Sequence, residues 1–167
     1  LGRGGDQAAV KTRNGFDFYG GVSKGVEKRT KVRTRVVASA LLELIHGSDN
    51  VLVMGHRFSD LDCVGSAVAM ASAVRSLGKP AYVVIRKEQT LAPELLDRYR
   101  DAGRGDLFLE PEDALPMMTR RTLLIITDTH NPRMLDSAKL YEGAASVVVI
   151  DHHRKMVDHI DNAVIFY

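Results

Sequence analysis

Three short apolar runs constrain this chain more than any other feature: Val51-Leu52-Val53-Met54, Leu123-Leu124-Ile125-Ile126-Thr127 and Ser146-Val147-Val148-Val149-Ile150. A strand with one wet face alternates apolar and polar residues, whereas a run that is apolar throughout has to be buried on both faces. Helical segments fall between these runs. One extends from about Asp60 to Leu77, is rich in small apolar residues, and stops at Gly78-Lys79-Pro80. Others are expected near Pro93 to Asp101 and near Pro132 to Tyr141, with a further strand at Ala81 to Ile85 and a proline-bounded stretch from Pro111 to Pro116. Strands alternating with helices predict an α/β fold, a parallel sheet with helices on both faces.

A single core usually takes about 100 to 150 residues, so 167 residues leave something over. The surplus lies at the start. Residues 1 to 22 are glycine-rich around Ala8 to Lys11 and Phe16 to Tyr19, which could pair as a hairpin across Arg13-Asn14-Gly15. From Val26 the pattern turns helical. Val32, Val36, Ala40 and Leu44 recur at four-residue spacing until Gly47. The expected organisation is a remnant of another domain over 1–25, a basic linker helix over 26–47 and the main domain over 48–167. The chain starts with Leu1 rather than Met and closes on the strand-like Ala163 to Tyr167, so a longer parent protein is expected.

Apolar residues make up 45% of the chain and charged residues 26%, a balance that excludes disorder. No apolar run approaches the roughly 20 residues that cross a bilayer. A net charge of +2 is too small to argue for nucleic acid by itself, and the basic residues between Lys24 and Arg35 read first as a solvated helix face. One cysteine, Cys63, can form neither an internal disulfide nor a thiolate metal cage; it reads as packing, and its reducing compartment as the cytoplasm.

The chemistry sits where the apolar runs end. His56 follows the first, Asp128 the second, and Asp151-His152-His153 the third, while Asp60 and Asp62 arrive just after His56. In open α/β sheets, ligands bind in the crevice beyond the carboxyl ends of the strands, so these groups should converge. Each alone has a structural alternative: Asp60 and Asp62 as helix caps, Asp128 as a turn residue, the histidines as loop polarity. Together, carboxylate and imidazole donors suit two divalent ions, Mn²⁺ best among them. Such a pair would acidify a bridging water and steady both the attacking and leaving oxygens at phosphorus.

The segments His56-Arg57-Phe58-Ser59-Asp60-Leu61-Asp62 with Gly65-Ser66, Asp128-Thr129-His130 and Asp151-His152-His153 resemble, in order and spacing, the motifs of the DHH phosphoesterase superfamily. The resemblance implies a parallel α/β domain over residues 51 to 167. It makes His56 and Asp60 ligands of one metal, Asp62 and His152 ligands of the other, and Asp128 the bridge. Asp151 becomes the acid that orients a ligand imidazole, His153 the residue that faces the substrate phosphate, and His130 a supporting residue.

The preceding segment, Leu1 to Lys11 with Gly4-Gly5-Asp6, then Phe18-Tyr19-Gly20-Gly21 and Val26 to Arg33, resembles the end of the degenerate GGDEF domain in GdpP/YybT-type cyclic-di-AMP phosphodiesterases. That resemblance implies hydrolysis of cyclic-di-AMP to linear pApA, a cyclic dinucleotide rather than duplex nucleic acid as partner, and room for a homodimer in the full-length protein. It also implies a membrane-anchored parent with this domain in the cytoplasm, a PAS-like domain before it, a DHHA1 domain after it, and one more aspartate ligand beyond Tyr167. A DHH oligoribonuclease or single-strand exonuclease, and a non-catalytic nucleotide-sensing module, are the competing readings.

Overall fold

The computed structural model describes residues 8–12, 15–19, 24–154 and 157–166. Gly4-Gly5-Asp6, the turn residues Arg13 and Asn14, and the Gly20-Gly21 pair lie outside the described residues. The chain divides into two compact units, Leu1–Ser39 and Ala40–Tyr167.

In the first unit, β1 (Ala8–Thr12) and β2 (Gly15–Tyr19) pair antiparallel, with Ala8 opposite Tyr19 and Thr12 opposite Gly15. Helix α1 (Lys24–Gly47) starts in this unit and ends in the second. Among the described residues, no helix is long and apolar enough to cross a membrane.

The second unit is built on a six-stranded parallel sheet. Its strands in chain order are β3 (Asn50–Met54), β4 (Ala81–Val84), β5 (Phe108–Leu109), β6 (Thr122–Thr127), β7 (Ser146–Ile150) and β8 (Ile165–Phe166). Their spatial order is β5-β4-β3-β6-β7-β8. From β3 the chain grows outward through β4 and β5, then returns to lay β6 against the other side of β3. This reversal is a topological switch point, where connections leave on opposite faces and open a crevice at the carboxyl edge.

Burial on both sides explains the unbroken apolar runs. In a strand, successive side chains face opposite ways. Accordingly Val51, Val53, Leu123 and Ile125 pack with α2 (Leu61–Ser76), α3 (Pro93–Asp101) and the end of α1, whereas Leu52, Met54, Leu124 and Ile126 pack with α4 (Pro111–Ala114) and α5 (Ala138–Gly143). Val51 to Met54 are wholly buried, and each such side chain contributes about 1.5–3 kcal/mol. Ala67 and Ala71 let α2 lie close on the sheet. The parallel α/β fold with helices on both faces is therefore the observed one.

Two local expectations change. The single helix from Pro132 to Tyr141 is a 3-10 turn, Pro132–Met134, followed by the separate α5. Tertiary bonds break it: the Asp136 N–H donates to Gly55 O at 3.2 Å, and the Asp136 carboxylate accepts from the Arg86 N–H at 3.0 Å. Ser137 then caps α5 through the Leu140 N–H. The proline-bounded stretch becomes α4 and a 3-10 turn, preceded by the two-residue β5 on the sheet edge.

Candidate metal centre

The loop after β3 begins at Gly55, where a side chain has no room. A Cβ there would lie 2.1 Å from the Cys63 sulfur and 3.3 Å from Thr127 O. This tight approach of β3, β6 and the start of α2 brings His56 and Asp128 together across the switch point. Asp60 caps α2, its Oδ1 accepting from the Asp62 and Cys63 N–H groups, each at 3.0 Å. The capping reading of Asp60 is thus realised, and the cap also presents Asp62 from the first turn. Asp62 lies in the first turn and is not the cap, and the buried Ser59 donates to Thr90 Oγ1 at 3.0 Å.

Asp128 lies in the left-handed region at φ +59°, uncommon for a residue other than glycine. Its N–H is held by Ile150 O at 3.0 Å, which locks the turn leaving β6 to the end of β7. The side chain is 5% exposed, with Oδ2 3.6 Å from His56 Nε2, and Oδ1 3.2 Å from His152 Nε2 and 3.7 Å from His153 Nδ1. Oδ1 is buried with no hydrogen-bond partner. Burial first, and then repulsion from Asp62, hold this carboxyl above the usual carboxylate range.

His56 Nδ1 lies 2.8 Å from Arg57 O, an acceptor, so this nitrogen carries a proton, and Nε2 is the atom that faces Asp128. His152 Nε2 stands 3.4 Å from Asp62 Oδ2, which joins the third strand end to the α2 cap. Asp151 is buried under the histidines. It accepts from His130 Nδ1, from His153 Nδ1 at 2.7 Å and from the His153 N–H at 3.1 Å. Burial pushes Asp151 up, but these hydrogen bonds outweigh it and the carboxyl lies below its ordinary value. The Asp151 bond in turn raises His153 above the ordinary imidazole value, against some desolvation.

All seven residues singled out in the sequence, His56, Asp60, Asp62, Asp128, Asp151, His152 and His153, line one cavity of about 540 Å³. Among the described residues, two triads could hold a cation, His56-Cys63-Asp128 and Asp128-His152-His153. Asp128 belongs to both. Cys63 is the member that sequence reasoning left to packing, and burial pushes its thiol up to about 12, so it stays neutral and weakly ligating. The buried acceptor without a partner and the carboxylate–imidazole donor set fit divalent cations.

Fold and site define a parallel α/β domain carrying a candidate divalent-metal centre at its switch point. The pattern of the DHH family, N-terminal domain, matches residues 50–167, and the chain belongs to that family. Over its whole length the chain is similar to "Cyclic-di-AMP phosphodiesterase GdpP" of Geobacillus thermodenitrificans, at 42% identity, and to "Cyclic-di-AMP phosphodiesterase PdeA" of Listeria monocytogenes, at 38%. It spans 26% of each of these relatives. Among solved structures, an exopolyphosphatase-related protein from Bacteroides fragilis shares the fold, with a TM-score of 0.53 and 17% identity over 80% of this chain and 38% of that one.

Proposed function

We propose that this chain is the metal-binding part of a phosphodiesterase that hydrolyses cyclic-di-AMP to linear pApA. Asp128 carries the reading: a buried carboxylate with an oxygen lacking any hydrogen-bond partner, faced by imidazoles from two strand ends. An ionised carboxylate is costly to bury without compensation, and divalent cations supply it. His56, Asp60, Asp62, Asp128 and His152 would hold two such ions. Oxygen and imidazole donors with a neutral thiol favour Mn²⁺. Bound ions supply Lewis acidity at the phosphoryl oxygens and a water acidic enough to attack at neutral pH.

The chain's own residues orient and charge the site. The Arg57 carbonyl fixes the His56 tautomer, and Asp151 fixes His153 while favouring its protonated form. A protonated His153 donates to the negative charge that builds on the phosphoryl oxygens. Attack on phosphorus in line with O3′ breaks the P–O3′ bond, O3′ takes up a proton, and the opened product keeps a 5′-phosphate.

The named relatives, aligned over the whole of this chain at 38–42% identity, support the choice of substrate. The layout of 1–25 as a GGDEF remnant, 26–47 as linker and 48–167 as the DHH part belongs to the same proposal, as does a membrane-anchored parent. The test is an Mn²⁺ assay of the longer protein on cyclic-di-AMP and on short oligonucleotides, with Asp60→Ala and Asp128→Asn alongside. Cyclic-di-AMP turnover that both variants abolish is expected. Normal turnover by either folded variant sinks the metal assignment, and a preference for oligonucleotides transfers the activity to the oligoribonuclease reading.

A further inference from the structure

A second cavity of about 430 Å³ lies on the same carboxyl edge of the sheet, and the metal centre does not use it. The two share a wall. His56 and Leu135 form an isolated antiparallel bridge, and the Arg57 N–H donates to Met134 O at 2.7 Å. His56 and Met134 line the metal cavity, while Arg57, Arg133 and Leu135 line the second one.

The two cavities are opposite in charge. Asp60, Asp62, Asp128 and Asp151 line the first, whereas Arg57, Arg86, Arg133 and Lys139 line the second against Glu112 and Asp136. Both of those carboxylates face Arg86. Glu112 Oε1 meets its Nη2 at 3.1 Å, and the buried Asp136 stands 3.7 Å from its Nε while accepting its backbone N–H. Arg133 has one distant partner, Asp158 at 3.5 Å. Among the described residues, neither Arg57 nor Lys139 has a carboxylate partner within 4.0 Å; Arg57 Nη2 donates to Arg133 O at 2.5 Å and the Lys139 charge acts on Glu112, so the cavity keeps more cationic than anionic groups in its lining. A cleft lined by one sign of charge concentrates the counter-ion, and guanidinium groups match phosphate oxygens in geometry.

We infer that this second cavity is an anion subsite that holds the non-scissile phosphate of the dinucleotide, across the His56–Arg57 wall from the metal centre. The identity of the ligand rests on the phosphodiesterase reading; the anion site rests on the cavity alone.

Two measurements separate these. The metal-free chain, in EDTA, is titrated with inorganic phosphate and followed by amide NMR; under these conditions the acidic cavity repels the probe. Saturable shifts at Arg57, Arg86 and Lys139 are expected, weakened about tenfold in Arg57→Gln or in the surface variant Lys139→Gln. No saturable shift, or unchanged affinity in both variants, overturns the anion site. In the Mn²⁺-loaded longer protein, Lys139→Gln raises KM for cyclic-di-AMP about tenfold, far more than it lowers kcat. An unchanged KM overturns the substrate role. Absence of hydrolysis by the unaltered protein defeats the phosphodiesterase reading, and the substrate role with it, while the NMR result decides the anion site independently.

Discussion

At the scale of single residues, Asp128 concentrates the conflict between stability and function. It adopts a left-handed backbone conformation, loses its hydration, and leaves one oxygen without a hydrogen-bond partner. Asparagine tolerates the same conformation and keeps the shape without the charge, so Asp128→Asn should fold while losing about a hundredfold in Mn²⁺ affinity by isothermal titration. The same variant exposes the cost of the charge. Burial raises the folded-state value of Asp128 above 3.8, so the folded protein takes up a proton more readily than the unfolded chain. The stability this supplies is complete below the unfolded value and is lost as pH rises through the folded one. In the metal-free protein, the melting temperature of the parent should therefore fall relative to that of Asp128→Asn as pH rises from about 4 through the folded-state value. A constant difference across that range would show that Asp128 is not desolvated in solution.

At the scale of elements, the centre depends on how closely the end of β3 approaches the end of β6 and the start of α2. Gly55 is the contact that permits it, since any Cβ there meets the Cys63 sulfur and the Thr127 carbonyl. Gly55→Ala should cost about 1–3 kcal/mol in urea unfolding, the usual penalty for overpacking. Cys63→Ala in the same chain should recover part of that loss, because the sulfur is the nearer obstacle; additive losses would mean that the backbone contact dominates. The packing role read for Cys63 and its place in a ligand triad with His56 and Asp128 are two views of this one contact.

At the scale of the whole second unit, the candidate ligands from three strand ends and one helix cap meet only in the folded chain, so cation binding there would be linked to folding. Mn²⁺ held at about a hundred times its dissociation constant should raise unfolding stability by about 2.7 kcal/mol at one site, and Mg²⁺ or Ca²⁺ by less if imidazole donors take part. Thermal unfolding titrated with each metal measures this. An equal response to all three would mean that the histidines are not ligands.

The amino-acid sequence by itself determined the inner strands β3, β4, β6 and β7 and the helices α2 and α3. Strands buried on both faces must be apolar throughout, and the glycine, proline and acidic residues around them punctuate the chain locally. It also marked the residues at the three strand ends, because chemistry at a carboxyl edge has to follow directly after a strand. Only the tertiary structure decided what those residues do to each other. The burial of Asp128 on packing and the engagement of Asp151 with His130 depend on neighbours from distant segments. Asp136 shows the limit most clearly. It lies inside the helix expected from Pro132 to Tyr141, yet across the fold it splits that helix and pins Arg86 beside a basic cavity, because the pairing of strand ends is set by sheet order and not by distance along the chain.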